Sequence, residues 1–314
     1  MRTVVGVLRG GPSSEYDVSL KSGAHVLEVL DREKFDPKDI FVDKNAQWHI
    51  QGVPTAPERA LRGVDVVFNA MHGQYGEDGQ VQRMLDMLNI PYTGSNVLSS
   101  ALAFNKQRTR EAAMSWGVKV PKALVLAQPQ SKEELEKAAF NIFRTFPHPA
   151  VVKPIIGGSS VGLTIVDNFP TLEGALSKGF DVAPKVLVEE FIKGKEATVG
   201  VIDRFRNEKT YALMPIEHGG GVEHVPGYFS TEEKKSLTDL ARKIHQGLSL
   251  SHYSRSDFIV GKRGIYFLEV NTLPGLTKDS FLPKALQAVG AKMSHFVEHV
   301  LDLARGKKKK IAQL

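Results

Sequence analysis

Apolar residues change their spacing along this chain, and each change marks an element. Thr3–Leu8 is a β-rich run ending at Gly10-Gly11, and Val64–Ala70 is a second apolar run that leads into the loop His72–Gly79. A helical stretch lies near Val18–Leu30. Val81, Met84, Leu85 and Leu88 recur at i, i+3, i+4 and i+7, one face of another helix. Strands alternating with helices predict a parallel sheet, with functional loops at the carboxyl ends of its strands. Both glycine-rich loops sit at such ends.

Past Pro91 the pattern is mixed. Ser131 and Glu134 form a capping box that predicts a helix through Phe143, and Pro147 and Pro149 punctuate its exit. Val151–Pro154 and Val186–Glu190 are predicted strands. Ser230 and Glu233 make a second capping box, opening a helix with Leu237, Leu240, Ala241, Ile244 and Leu248 on one face. Ser256–Val260 and Ile265–Val270 then flank the turn Gly261-Lys262-Arg263-Gly264, a hairpin signature. Met293, Phe296, Val297, Val300, Leu301 and Ala304 mark a final amphipathic helix.

Composition narrows the class. The 314 residues are too many for one small core and suit two or three domains. Hydrophobic residues at 42% and charged residues at 24% are ordinary for a globular protein. No cysteine is present, so disulfide frameworks and thiolate chemistry are excluded. The first apolar run is too short for a signal h-region and reads as a strand, and nothing approaches a membrane span. A cytoplasmic enzyme is the expectation. Of the net charge of +6, four units come from Lys307–Lys310, a run that reads as a solvated tail. No basic stripe interleaved with aromatics occurs elsewhere, so nucleic-acid and membrane partners are not expected.

Three segments carry candidate chemistry. In the hairpin, Asp257 is expected opposite Glu269, give or take one position, with Asn271 on the same face as Glu269. Three oxygen ligands converging there suit Mg²⁺; the alternative is a surface hairpin with scattered acids. Lys153 ends a strand and leads into Gly157-Gly158-Ser159-Ser160-Val161-Gly162, whose backbone N–H groups and hydroxyls suit a phosphate chain. This is not a Walker A loop, and a tight hairpin with a solvent-facing lysine is the alternative. Glu189–Glu196 follows an apolar strand, where an adenine or merely a turn with solvated acids would fit. At the N-terminus of the first helix, Glu15 could hold an ammonium group. His72 reads as a loop histidine that orients its neighbours, and Glu77 and Asp78 as caps of the following helix.

Taken in order, GGPSSEYDVSLKSG (10–23), HGQYGEDG (72–79), PYTGS (91–95), KPIIGGSSVG (153–162), VLVEEFIKGKE (186–196), RSD (255–257) and EVNTLPGLTKDS (269–280) resemble the D-alanine–D-alanine ligase family of the ATP-grasp superfamily. The resemblance spans residues 3 to about 305. It implies an α/β and α+β, three-domain ATP-grasp architecture: an N-terminal parallel-sheet domain (1–94), a central domain (95–189) and a C-terminal catalytic domain (190–306), before the basic tail (307–314). Lys106 and Lys153 would then contact ATP phosphates, with Ser159, Ser160, Val161 and Gly162 closing over them. Glu189, Phe191 and Ile192 would frame the adenine, and Glu196 would hold the ribose. Asp257, Glu269 and Asn271 would bind two Mg²⁺ ions, Mn²⁺ being an alternative. Glu15 would hold the first D-alanine, Arg255 and the Gly275 backbone the oxyanion, and Ser280 the second carboxylate. The resemblance also implies a homodimer, small-molecule substrates and a role in peptidoglycan synthesis.

The chain departs from the family in one place. Members usually carry an extended Tyr-x-x-Lys-Tyr loop that closes over the site, whereas here Tyr211–Tyr228 is shorter and holds Gly219-Gly220-Gly221 between His218 and His224. A different lid, a partner subunit, or a second substrate other than D-alanine would each account for the difference.

Overall fold

The structure is a computed structural model that describes residues 2–157 and 162–311. Its first unit comprises β1 (Thr3–Gly10), α1 (Tyr16–Val29), β2 (Phe35–Val42), β3 (Trp48–Ile50), β4 (Val53–Pro54), α2 (Pro57–Ala60), β5 (Val66–Asn69) and α3 (Gln80–Met87). The sheet order is β4-β3-β2-β1-β5. β1 is parallel to both β2 and β5, because helices carry the chain back across the sheet. β3 and β4 add an antiparallel edge through short turns, a detail the helix–strand alternation did not reveal.

Alternation along the strands gives the sheet two covered faces. Val5, Val7, Val66 and Phe68 pack with Val26 of α1. Leu8, Ile40, Val42 and Val67 pack on the other side with Trp48, Val81 and Leu85.

Two helices, α4 (Val97–Phe104) and α5 (Lys106–Ser115), lead into the second sheet. α5 carries no apolar stripe; its buried positions are Thr109, Arg110 and Ala113. Its start is fixed instead by Asn105, whose side chain accepts from the Arg108 N–H. The second sheet contains β6 (Ala123–Ala127), β7 (Ala150–Pro154), β8 (Thr164–Val166) and β9 (Lys185–Glu190), in the antiparallel order β6-β9-β7-β8. α6 (Lys132–Thr145) and α7 (Phe169–Val182) cover it through Ala139, Ile142, Leu172 and Leu176. Ser131 caps α6 as expected, but the Glu134 carboxylate accepts from the Gln130 N–H, so the box is not reciprocal.

The third sheet is built from β10 (Gly194–Asp203), β11 (Thr210–Ala212), β12 (Ile216–Gly219), β13 (Val222–His224), β14 (Tyr253–Gly261) and β15 (Gly264–Asn271). Its main path is β13-β12-β10-β14-β15, with β11 paired to β10. α8 (Thr231–Gly247) lies against it through Leu237, Ala241 and Ile244 and opens with the complete Ser230/Glu233 capping box. α9 (Phe281–Ala288) follows, then α10 (Met293–Ile311), which continues into the lysine run. Phe296, Val297, Val300, Leu301 and Ala304 of α10 are fully buried in the same core as Val5 and Phe68 of the first sheet. Burying each large side chain contributes about 1.5–3 kcal/mol, enough to fasten the end of the chain to its beginning.

Candidate active site

The β14–β15 hairpin falls within the one-position range of register expected from its sequence, and a bulge decides it. Asp257 faces Glu269 and Arg255 faces Asn271, with a bulge after Asp257. Residues two apart on a strand share a face, so Arg255 reaches Asp257 through Nε (3.0 Å to Oδ1) and Nη2 (2.8 Å to Oδ2). Thr198, across on β10, donates its hydroxyl to Asp257 Oδ1. Asn271 Nδ2 lies 3.4 Å from Asp257 Oδ2.

Lys106, the first residue of α5, ties this hairpin to the glycine loop. Its Nζ is 3.0 Å from Glu269 Oε2 and donates to the Gly157 carbonyl at 2.7 Å. Burial alone would raise the Glu269 pKa, but the ammonium groups of Lys106 and Lys153 and the Arg255 guanidinium hold it down at about 2. The hairpin and Gly157, at the start of the glycine loop, line one cavity of about 360 Å³, with Lys106, Lys153 and Gly157 among its lining residues beside Arg255, Asp257 and Glu269. Ser159, Ser160 and Val161 lie outside the described residues. Gly162, just beyond them, has φ +79° and packs against Pro154.

Lys153 does not face solvent. It is 5% exposed, and its Nζ pairs with Glu189 Oε2 at 2.7 Å. The other oxygen of Glu189 accepts from Arg110 Nη1 at 2.9 Å, and Arg110 also donates to the Pro121 carbonyl. Two buried cations thus share one carboxylate at the cavity wall, an arrangement with spare positive charge for an anion. Arg110 escaped sequence reasoning because a lone arginine on a polar helix carries no signal. Among the other expected nucleotide residues, Ile192 is buried, Phe191 is 37% exposed, and the Glu196 side chain is half exposed in the same cavity.

A second cavity of about 200 Å³ adjoins the first and shares Arg255 and Phe281 with it. Glu15, Gly275 and Ser280 line it, together with His72 and Glu77. Glu15 Oε2 is buried with no hydrogen-bond partner among the described residues. Burial raises the Glu15 pKa, Arg255 opposes the rise, and Glu269 adds to it. A Cβ on Gly275 would come within 2.7 Å of Ser280 Oγ, so a larger residue there would push the Ser280 hydroxyl aside. Ser280 Oγ also lies 2.7 Å from Thr277 Oγ1.

Glu77 corrects the sequence reading. It does not cap α3, whose N-cap is Gly79; Asp78 instead accepts from the Gln80 and Tyr75 N–H groups. The buried Glu77 carboxylate accepts from Gly73 N (2.7 Å) and from Leu273 N (2.8 Å), joining two loops 196 residues apart. Burial and the neighbouring Glu15 push its pKa up to about 8. His72 orients its neighbours as expected: Nδ1 is 2.7 Å from the Leu273 carbonyl and Nε2 is 2.8 Å from Ser22 Oγ. Burial takes its pKa down to about 4, a Leu273 hydrogen bond acting against the fall and Arg255 with it.

As metal ligands, Asp257, Glu269 and Asn271 offer two carboxylates and an amide oxygen. Among the described residues no group of three or more His, Cys, Asp or Glu forms a cage. A partial oxygen shell suits Mg²⁺, which keeps waters and substrate phosphates, so the residues fit that ion.

Comparison with known proteins finds relatives along nearly the full length of the chain. Family models described as D-ala D-ala ligase N-terminus and C-terminus match residues 4–60 and 51–95, and 113–302. The chain belongs to the D-alanine–D-alanine ligase family. A D-alanine--D-alanine ligase from Pelotomaculum thermopropionicum is 36% identical, the alignment covering 97% of each chain. In shape, the D-alanine-D-alanine ligase from Coxiella burnetii superposes with a TM-score of 0.86 at 24% identity, over 99% of this chain and 96% of that one. The VanG D-Ala:D-Ser ligase from Enterococcus faecalis gives 0.83 at 26% identity, over 97% and 100%. These neighbours share the ATP-grasp fold, so the three sheets here are those of a D-alanine–D-alanine ligase-type ATP-grasp enzyme. No helix among the described residues is long and apolar enough to cross a membrane.

Proposed function

We propose that this chain joins two D-alanines at the expense of ATP, through an acyl phosphate, to supply peptidoglycan synthesis in the cytoplasm. One observation carries the reading: Lys106 bridges the glycine loop and the acidic hairpin across a single cavity. Cations and carboxylates facing one cleft are what a nucleotide triphosphate and its metal require. The full-length relative named as a D-alanine--D-alanine ligase supports D-alanine as both substrates over the other second substrates considered for the shortened Tyr211–Tyr228 segment.

In this reading the first D-alanine occupies the smaller cavity, its ammonium beside the unpartnered Glu15 oxygen. Its carboxylate oxygen attacks the γ-phosphorus of ATP, and the bond to the β-γ bridging oxygen breaks to release ADP. Lys106 and Lys153, with the 159–162 loop, hold the phosphates in the larger cavity. Lys153 exchanges Glu189 for phosphate, and Arg110 keeps Glu189 paired when it does. Glu189, Phe191 and Ile192 frame the adenine, and Glu196 the ribose hydroxyls.

Asp257, Glu269 and Asn271 hold the divalent ions, two Mg²⁺ or Mn²⁺, whose chemistry is to neutralise charge on the transferred phosphoryl group. The neutral amine of the second D-alanine then attacks the acyl carbonyl. Arg255 and the Gly275 N–H stabilise the oxyanion, and inorganic phosphate leaves as the peptide bond forms and the amine loses a proton. Ser280 binds the second carboxylate. The domains divide after residues 94 and 189, the second division falling one residue before the end of β9, and the active form is a homodimer.

The test is ADP release by purified protein with ATP, Mg²⁺ and a panel of D- and L-amino acids. Release with D-alanine, and D-alanyl-D-alanine as product, is expected. Release with L-amino acids only would reject the reading.

A further inference from the structure

The segment that departs from the family pattern forms the β12–β13 hairpin, and its turn is made by three consecutive glycines with φ of +98°, +59° and +82°. It is held in place on several sides. A Cβ at Gly219 would come 2.7 Å from Glu196 Cδ, so the turn lies directly against that carboxylate. Glu223 pairs with Lys284 of α9, and Glu217 accepts from the Tyr228 N–H.

His218, in β12, makes two contacts that matter. Its Nδ1 is 3.4 Å from Glu196 Oε2. Its ring stacks on Phe281 with centroids 4.6 Å apart and planes inclined by 27°. Phe281 in turn lies beneath the Arg255 guanidinium, 5.9 Å from ring centroid to Cζ. Phe281 and Arg255 are the two side chains common to both cavities. The buried His218 Nε2 has no hydrogen-bond partner among the described residues.

We infer that His218 is a positioning residue for the ligation: it holds Glu196 at the ribose end of the nucleotide cleft and steadies the Phe281–Arg255 wall between the cleft and the amino-acid pocket. An imidazole nitrogen 3.4 Å from a carboxylate oxygen limits the directions in which that carboxylate can point. A ring stacked on Phe281 restricts the surface on which Arg255 rests. The hairpin therefore does from a short, rigid turn part of what a long closing loop would do. This inference rests on the nucleotide placement proposed above.

The two contacts separate by substitution. His218→Phe keeps a flat ring on Phe281 and removes the nitrogen facing Glu196. His218→Asn keeps a polar group and removes the stack. Binding of ATP and of 2′,3′-dideoxy-ATP by calorimetry reads the ribose end, and kcat at saturating ATP reads the Arg255 end. In His218→Phe the parent's preference for ATP over the dideoxy analogue is expected to fall about tenfold, the loss appearing in affinity more than in kcat. In His218→Asn, kcat is expected to fall about tenfold.

A purely structural role would lower both affinities equally and leave their ratio as in the parent, and that result overturns the inference. So does a parent without preference for ATP, or a His218→Asn variant with parental kcat. Should His218→Phe fail to fold, Glu196→Gln must reproduce the loss of preference for the inference to stand. A parent that binds ATP with the expected preference but forms no ADP with any amino acid would reject the ligase reading alone.

Discussion

The two adjoining cavities treat their carboxylates in opposite ways. At the larger, Asp257 is matched to Arg255, Glu269 to Lys106, and Glu189, behind the wall, to Lys153 and Arg110, while Glu196 faces His218. Glu269 is accordingly held near 2. In the smaller cavity Glu15 and Glu77 lie beside each other under burial, and both are raised, Glu77 to about 8. Arg255, shared by both, is itself raised: burial would lower it, but Asp257 outweighs that. A site of paired charges can exchange partners with a polyanion and metal ions. A site of crowded acids instead favours a bound ammonium, which relieves their repulsion. Under the proposed function, this contrast separates a place for ATP from a place for a zwitterion.

The largest expected effect breaks the first cavity. Glu269→Gln removes one charge at nearly constant volume and is expected to lower kcat by about 10³-fold with the fold retained. Steady-state ADP release, with circular dichroism as the fold control, checks this; parental turnover would discredit the metal assignment. Lys153→Ala leaves Arg110 to satisfy Glu189, so the loss is expected chiefly in KM for ATP, with kcat/KM down about 100-fold. Coupled-assay kinetics over a range of ATP concentrations decides it, near-parental constants counting against the phosphate role.

The second cavity is probed by pH. Glu77 has its folded pKa above the usual carboxylate value of 4.5, at about 8, so the folded state binds the extra proton between those values. Its contribution to stability is therefore present below 4.5 and lost as pH rises through 8. Glu77→Gln lacks that proton equilibrium. The melting temperature of the parent minus that of the variant should decline from pH 5 to pH 8, and a constant difference in calorimetry would contradict the shift. Smallest is Ser230→Ala on α8, away from both cavities. It should cost about 1 kcal/mol of stability through the lost cap while leaving ATP kinetics at parental values. Urea unfolding measures it and gives the baseline for stability loss without site damage.

Much of this arrangement was legible locally. The hairpin followed from its two glycines and the shared face of Glu269 and Asn271 from alternation, but the two-residue turn alone would set Asp257 opposite Leu268, and the bulge after Asp257 is what brings Glu269 there. Segments around Lys153, Glu189 and Arg255 announced themselves because glycine, serine and charge cluster there in sequence. Arg110, Glu77 and His218 did not. Arg110 sits on a helix without an apolar stripe, Glu77 matched a capping position, and His218 lay in a segment recognised only by what it lacked.

What the sequence alone determined was the order of elements, the loops that carry glycine at strand ends, and the family whose motifs those loops spell. Those signals are local, because dihedral preference and side-chain alternation act within a few residues. The tertiary structure decided which charges meet. Lys153 finds Glu189 rather than water, Glu77 receives the amide of Leu273, and the His218 ring settles on Phe281. Pairings of that kind depend on distance and burial between segments far apart in the chain, and electrostatic energy in a buried site follows position in space, not order in sequence.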